Sequence, residues 1–313
     1  MDGSEVLDLV KPLNIKVVGT GGSGNNIVSW LYQKGIKGAE VIACNTDHQQ
    51  LNVTKADKKF IIGRNVTRGL GCGGFPEKGV ESAKESIAEI RASVKDADMV
   101  FVCAGMGGGT GTGSAPVVAT AAKDMGAIVI DNNRLVHLAG NLPIQQAFAI
   151  ANELISTVIK GIVETIALPS LVNLDYADVK AIMQNGGVAA IGVGVSDTGN
   201  RVEEAVKGAL SNPLLDINYQ GATGALIHVT GGPDMTLDEV AQIGELVTES
   251  LDEDANVIWG ARIADDHKGK ISVMTIITGV QSPQLLGKAM PTFAAKKQQA
   301  QHAAIELGLV AVA

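Results

Sequence analysis

Three glycine-rich stretches hold the residues best suited to chemistry. The densest is Gly105-Met106-Gly107-Gly108-Gly109-Thr110-Gly111-Thr112-Gly113, with six glycines and two threonines in nine residues. Glycine lets backbone N–H groups turn toward one point with no Cβ in the way, and such a cradle binds anions. Thr110 and Thr112 add hydroxyl donors. The stretch lies between an apolar run, Met99 to Ala104, and a helix-like run, Ser114 to Ala122. A helix starting there adds unpaired N–H groups and the positive end of its dipole. A plain glycine hinge would need neither the threonines nor the flanking elements. The expected ligand is phosphate, contacted by Gly107, Gly108, Gly109, Thr110, Gly111, Thr112 and Gly113.

The second stretch follows the strand-like Ile15-Lys16-Val17-Val18 and places Gly21, Gly22, Ser23, Gly24, Asn25 and Asn26 at the same sheet edge. Gly19, Gly21 and Gly24 match the G-x-G-x-x-G dinucleotide fingerprint. Asn45 and Asp47 follow the run Val41 to Cys44, and Asp47 stands where a ribose-binding acid would sit. Taken alone, these residues indicate a nicotinamide-dependent oxidoreductase. The third stretch, Arg68 to Gly74, contributes Gly73 and Gly74. Two or three amide cradles at one edge suit a polyphosphate better than a pyrophosphate with a nicotinamide beyond it. The chain has no G-x-x-x-x-G-K-[ST], so backbone and not lysine would hold the phosphates.

Further on, Asn173-Leu174-Asp175-Tyr176-Ala177-Asp178 carries two carboxylates three apart. Read alone, they are a helix N-cap and its partner. Cys44, Cys72 and Cys103 are odd in number and widely spaced, which fits buried free thiols in a reducing compartment. The five histidines form no ligand spacing, so no metal site is expected from protein side chains.

The elements that must position these residues alternate. Strands at Ile15–Val18, Val41–Cys44, Lys59–Ile62 and Met99–Ala104 are interleaved with helices from Ile27 to about Lys34 and from Pro76 through Arg91. Such alternation predicts a parallel sheet with right-handed crossovers, binding ligands at its carboxyl edge. Ile144 to Leu168 reads as one long helix with apolar residues at spacings of three and four, sandwiched between two domains and stopped by Pro169. Beyond it the pattern is mixed. Helices are expected at Asp178–Gln184, at Asn200–Leu210 with Asn200 as cap, and from the Thr236 capping box to Leu251. Strands are expected at Ala189–Val195, Gly224–Val229, Asn256–Arg262 and Lys270–Thr278, the last two consecutive across a short polar turn. The expected fold is α/β: a Rossmann-like nucleotide domain (1–143), a central helix (144–168), a smaller mixed α/β domain (169–281) and a tail (282–313).

At 313 residues and 46% hydrophobic, the chain can bury two cores. Its formal charge of −8 argues against nucleic acid as a partner. Neither a membrane span nor a secretory signal is expected.

These motifs resemble the tubulin and FtsZ superfamily. Gly107–Gly113 resembles its signature loop, Asn173–Asp178 its synergy loop and Gly21–Asn26 its first phosphate loop. With Pro213-Leu214-Leu215 and Gly221–Ala225 following, the chain resembles the FtsZ family of prokaryotic cell-division GTPases, and Asn25-Asn26 suggests an archaeal form. The resemblance implies GTP or GDP as ligand, with Mg²⁺ held mainly by the phosphates. It implies Phe148 stacking on guanine and Asn152 reading it. Without the family, Phe148 is equally a core residue. It further implies Asn173, Asp175 and Asp178 as catalytic residues acting on the next subunit's nucleotide, and a head-to-tail homopolymer at a cytoplasmic mid-cell division site, with other division proteins as partners. A non-hydrolysing nucleotide-binding scaffold is the remaining alternative. One departure stands out. Between Ile128 and Asp131 the family carries several tens of further residues, a strand–helix–strand passage with a Glu and an Arg that contact sugar and phosphate, and no residue here inherits those roles. Removing a whole helix–strand unit would keep the next strand parallel in a narrower sheet.

Overall fold

The computed structural model describes residues 13–122, 127–131, 144–167, 172, 176–184, 189–211, 219, 221–252 and 254–280. Its first sheet is parallel with order β3-β2-β1-β4-β5. The strands are β1 (Ile15–Thr20), β2 (Ala39–Asn45), β3 (Lys58–Ile61), β4 (Met99–Met106) and β5 (Ala127–Asp131). The order reverses at β1, and β1 and β4 run side by side from Ile15↔Met99 to Thr20↔Ala104. A doubly wound sheet opens its ligand crevice at that switch point.

Both faces of this sheet are covered, which is why its strands read as unbroken apolar runs. Val17, Val41 and Phe101 face α1 (Gly21–Gln33) and the long helix α7 (Ile144–Ala167). Val18, Ile42 and Val102 face α4 (Pro76–Glu85), α5 (Ile87–Val94) and α6 (Thr110–Ala122). Two short helices, α2 (His48–Val53) and α3 (Arg64–Thr67), follow β2 and β3.

The glycine loops are shorter than the sequence suggests, because both helices begin inside them. α1 starts at Gly21 rather than Ile27, and α6 starts at Thr110 rather than Ser114. Gly24 lies in the first turn of α1, where an added Cβ would stand 2.2 Å from the Cys103 carbonyl oxygen. Gly113 lies in α6, where one would stand 2.1 Å from that of Pro76. These glycines serve close packing of helix on strand and of helix on helix. The helix expected from Pro76 through Arg91 is broken in two at Ser86, whose hydroxyl accepts the Gly63 N–H at 3.1 Å.

α7 buries Ile155, Val158, Ile159, Ile162 and Val163 in a cluster that also holds Leu226, Met274 and Ile276 of the second sheet. One core therefore joins the two lobes through α7, as its all-round apolar pattern implies. The second lobe contains α8 (Tyr176–Gln184), β6 (Ala189–Ser196), α9 (Arg201–Leu210), β7 (Gly224–Gly231), α10 (Leu237–Thr248), β8 (Asn256–Ile263) and β9 (Ile271–Thr278). Its order is β6-β9-β7-β8. β8 and β9, consecutive in sequence, are not neighbours: β9 runs antiparallel to β6 and β7, while β8 pairs in parallel with β7. The polar turn therefore leads β9 past β7. The Thr236 capping box forms as expected, with Glu239 closing it. Asn200 stands at the N-cap of α9, but its amide donates to Glu203 at 2.8 Å and caps no backbone N–H.

Among the described residues, no helix is long and apolar enough to cross a membrane. Cys44, Cys72 and Cys103 are buried free thiols, as their spacing implies. Burial raises the Cys44 thiol to about 11 and the Cys103 thiol to about 12, so neither is a nucleophile near neutral pH.

Candidate functional site

A cleft of about 390 Å³ opens at the carboxyl ends of β1, β2 and β4. Its walls are loop and helix-start backbone from all three glycine stretches, including Gly22, Ser23, Gly73, Gly74, Gly108 and Gly109. Two helix N-termini converge on it. The N-cap residue of α1, Thr20, makes no side-chain cap bond, and neither α1 nor α6 carries an acid in its first turn. The amides of those turns are therefore left for a ligand, and both dipoles favour an anion. Among the lining residues no lysine or arginine occurs, and Asp47 is the one charged group.

Not every glycine faces the ligand space. Gly21, at φ +72°, packs on the start of α6, where a Cβ would meet the Gly111 nitrogen at 2.6 Å. Gly109 lines the cleft but has no room for a side chain, since a Cβ would stand 2.7 Å from that of Cys72 and 2.9 Å from the Phe75 nitrogen. Gly107, at φ +99°, stands in open space and donates its N–H to Thr112 Oγ1 at 3.2 Å. The contacts of Gly21 and Gly109 pack the second and third stretches onto the glycine run that opens α6.

The asparagines divide similarly. Asn25 is fully buried. With its amide turned to satisfy its neighbours, it donates to the carbonyls of Gly19 (3.0 Å) and Cys44 (3.2 Å) and accepts from Asn45 Nδ2 at 3.2 Å. It holds β1 to β2 beneath the cleft. Asn26 is exposed and accepts from Gln50 Nε2 at 3.1 Å. Asn45 lines the cleft, and its Oδ1 accepts the Thr46 N–H at 2.9 Å. Asp47 caps α2, accepting from Gln49 N (2.9 Å) and Gln50 N (3.1 Å) through one carboxylate oxygen. This is a structural role that the dinucleotide reading does not supply.

Sequence reasoning missed Thr20, Gln50, Gly71, Cys72 and Gly105, which also line the cleft. Gln50 carried a legible signal, because it stands at the third position after a capping Asp and so faces the same way. Thr46 escaped notice as well. It is fully buried below the cleft floor and bonds Thr110 Oγ1 through its hydroxyl at 2.6 Å.

Phe148 and Asn152 are both on α7. The Phe148 side chain lies outside the described residues, and Asn152 is half-buried next to Glu153. Glu153 accepts from Trp30 Nε1 of α1 at 2.6 Å, which ties α1 to α7. Asn173 and Asp175 lie outside the described residues. Asp178 is exposed in the first turn of α8, and Val179 and Ile182 of that helix are buried in the core shared with α7. Just before this segment, Val172 and Ala261 of β8 exchange backbone hydrogen bonds at 3.2 and 3.4 Å.

Size alone would choose another cavity. A groove of about 910 Å³ lies between α10 and β8, lined by apolar residues such as Leu237, Val257 and Trp259. Its charged lining residues are all acids, Glu245, Glu249 and Asp252, and α10 already carries Asp238 and Glu239 in its first turn, so it offers nothing to hold a phosphate.

Comparison with known proteins agrees with the cleft. Residues 14–160 match the GTPase domain of the tubulin/FtsZ family, and residues 187–281 match the C-terminal domain of the FtsZ family. "Cell division protein FtsZ 2" of Methanocaldococcus jannaschii is 53% identical over 311 residues, covering 88% of this chain and 82% of that protein. Among solved structures, a point mutant of M. jannaschii FtsZ superposes with TM-score 0.81 at 44% identity, covering 89% of this chain and 95% of the other. An empty M. jannaschii FtsZ dimer superposes with TM-score 0.80 at 42% identity, covering 93% and 98%. The 311-residue alignment draws on only 88% of this 313-residue chain, so roughly three dozen positions of the relative have no counterpart here. That shortfall is of the size of the missing strand–helix–strand passage, and β5 still pairs in parallel with β4 from Val102↔Ala127 to Met106↔Asp131. Neither the oxidoreductase nor the non-hydrolysing scaffold gains support from these matches. An amide-walled cleft at the switch point of a parallel sheet, a long helix sharing one core with a second mixed sheet, and two family domains matched in order place this chain in the FtsZ family of tubulin-like GTPases.

Proposed function

We propose that this GTPase assembles head to tail into cell-division filaments, with each active site completed by the next subunit. The observation that carries the reading is the cleft itself, which is walled by backbone N–H groups and two bare helix starts, with no cation. It suits a triphosphate held by amides. Gly22, Ser23 and the run Gly107–Thr112 would hold the phosphates, with Gly73 and Gly74 on the opposite wall and Gly24 and Gly113 packing the helices behind them. Asn45 and Asp47 would lie beside the sugar, and Phe148 and Asn152 would meet the base. GTP, when bound, supplies the phosphoanhydride that is hydrolysed. The lining offers hydroxyls and amides, and the Asp47 carboxylate is engaged as a cap. Mg²⁺ would therefore be held mainly by the phosphates, keeping several waters.

Asn173, Asp175 and Asp178 would orient and polarise the attacking water. Asp178 sits on a helix rooted in the second lobe and is not among the residues lining its own chain's cleft, which supports action on a neighbouring copy. An interface of that kind is heterologous and grows open filaments. The organisation that follows is a nucleotide domain (1–143), a central helix (144–168), an activating domain (169–281) and a tail (282–313), working in the cytoplasm at the division site with other division proteins. The test is GTP turnover as a function of protein concentration. Turnover per subunit rises steeply as filaments form, and Asp175→Ala leaves GTP bound but uncleaved. Flat turnover per subunit at every concentration rejects the shared site.

A further inference from the structure

We propose that Thr46 is a positioning residue that turns the Thr110 hydroxyl into an obligate hydrogen-bond donor toward bound phosphate. The inference rests on the nucleotide reading of the cleft and adds to it a residue that neither the family resemblance nor the glycine motifs single out.

Thr46 is fully buried, and each of its polar atoms is used. Its N–H donates to Asn45 Oδ1 at 2.9 Å. Its carbonyl accepts from Gly71 N at 3.2 Å and from Thr67 Oγ1 at 3.3 Å. Its hydroxyl has two partners, the Cys72 thiol at 3.5 Å and Thr110 Oγ1 at 2.6 Å. The second-strand loop, the third glycine stretch and the start of α6 thus meet at one side chain beneath the cleft.

The direction of the hydroxyl pair follows from what each oxygen can do. A buried hydroxyl must place its own proton on an acceptor. A thiol is a weak acceptor but does donate, whereas the Thr110 oxygen is a good acceptor. Cys72 therefore donates to Thr46, and Thr46 donates to Thr110. Thr110 is half-buried, lines the cleft and opens α6, so no earlier turn of its own helix takes its proton. With one lone pair occupied from below, its hydrogen is directed into the cleft, where it can be given to an anion and not to a cation. The relay needs no charged group, in keeping with a cleft that holds phosphate without lysine.

The test is a double-mutant cycle read by calorimetric Kd for GTP, GDP and guanosine, with Thr46→Val, Thr46→Ser, Thr110→Val and the Thr46→Val/Thr110→Val pair. Thr46→Val is expected to weaken GTP and GDP about tenfold, as the Thr110 bond to a charged oxygen loses its fixed direction, while guanosine is unchanged. Thr46→Ser restores binding. The pair binds no more weakly than Thr110→Val alone, because Thr46 acts only through the Thr110 hydroxyl, which is already gone. Should Thr46→Val not fold, Thr46→Cys keeps the shape with a weaker donor and gives an intermediate loss. Unchanged GTP affinity in Thr46→Val, equal weakening of guanosine, or losses that multiply in the pair would overturn the proposal. A wild-type chain that binds GTP no better than guanosine would instead overturn the nucleotide reading itself.

Discussion

Gly22 and Gly24 sit two residues apart in the first turn of α1, and adding one methyl group to each should do opposite things. At Gly24 the new Cβ would stand 2.2 Å from the Cys103 carbonyl oxygen and 3.3 Å from Gly19 C, both backbone atoms. Carbon contacts are comfortable near 3.5 Å, so α1 must retreat from β4 by about 1 Å. That retreat loosens Ile27, Val28 and Leu31, each no more than 1% exposed. Overpacking of this kind costs about 1–3 kcal/mol, against a gain of up to about 1 kcal/mol from replacing a helical glycine by alanine. Gly24→Ala should therefore lose about 1–2 kcal/mol and lower Tm by several degrees. At Gly22 the nearest atoms are 3.7 Å away, at the flexible end of Gln50. Gly22→Ala should keep or slightly raise stability, yet intrude on the cleft it lines and weaken GTP binding. Thermal unfolding without nucleotide, followed by GTP titration of each variant, separates the two. A Gly24→Ala protein as stable as wild type, or a Gly22→Ala protein that loses stability and keeps its GTP affinity, refutes the packing account of this turn.

Three further outcomes follow from the charges. His228 is buried with Arg262 nearby, and burial first and the guanidinium second lower its pKa from 6.5 to about 4. The unfolded chain binds that proton more readily, so stability falls as pH drops from about 6.5 toward 4. His228→Phe should flatten that part of the curve in urea titrations at successive pH values. Asp234 is held at about 2, first by the Gly269 N–H and then by Arg201, and Glu239 is lowered chiefly by Arg201. Their contribution is present above pH 4 and lost on further acidification, and Arg201→Gln should shrink the loss. Asp47→Asn keeps an acceptor for Gln49 and Gln50 and should leave stability near wild type, whereas Asp47→Ala should lose about 1 kcal/mol in thermal unfolding.

Much of the parallel lobe was legible because its strands are unbroken apolar runs flanked by glycine, and period alone identified α7. Less legible was where loops end. Glycines that suggest a flexible cradle also permit helix starts packed hard on a neighbour, as at Gly24 and Gly113, and the two uses look alike in sequence. The break at Ser86 depends on an N–H from Gly63, twenty-three residues earlier, and no local signal reports that. The strand order of the second sheet was hidden for a similar reason, since adjacency in sequence across a polar turn is not adjacency in a sheet when the chain steps over β7. At the cleft, residue types with known roles were found, while Thr46 was passed over because an unremarkable threonine shows its value only through partners far apart in the chain.

Val172 and Ala261 make a small clasp, two hydrogen bonds fastening the root of the acid-bearing segment to the outermost strand of the second sheet. A residue fastened this way travels with the sheet. Any tilt of that lobe therefore carries Val172 along with Ala261, so the chain at this point shares the motion of β8.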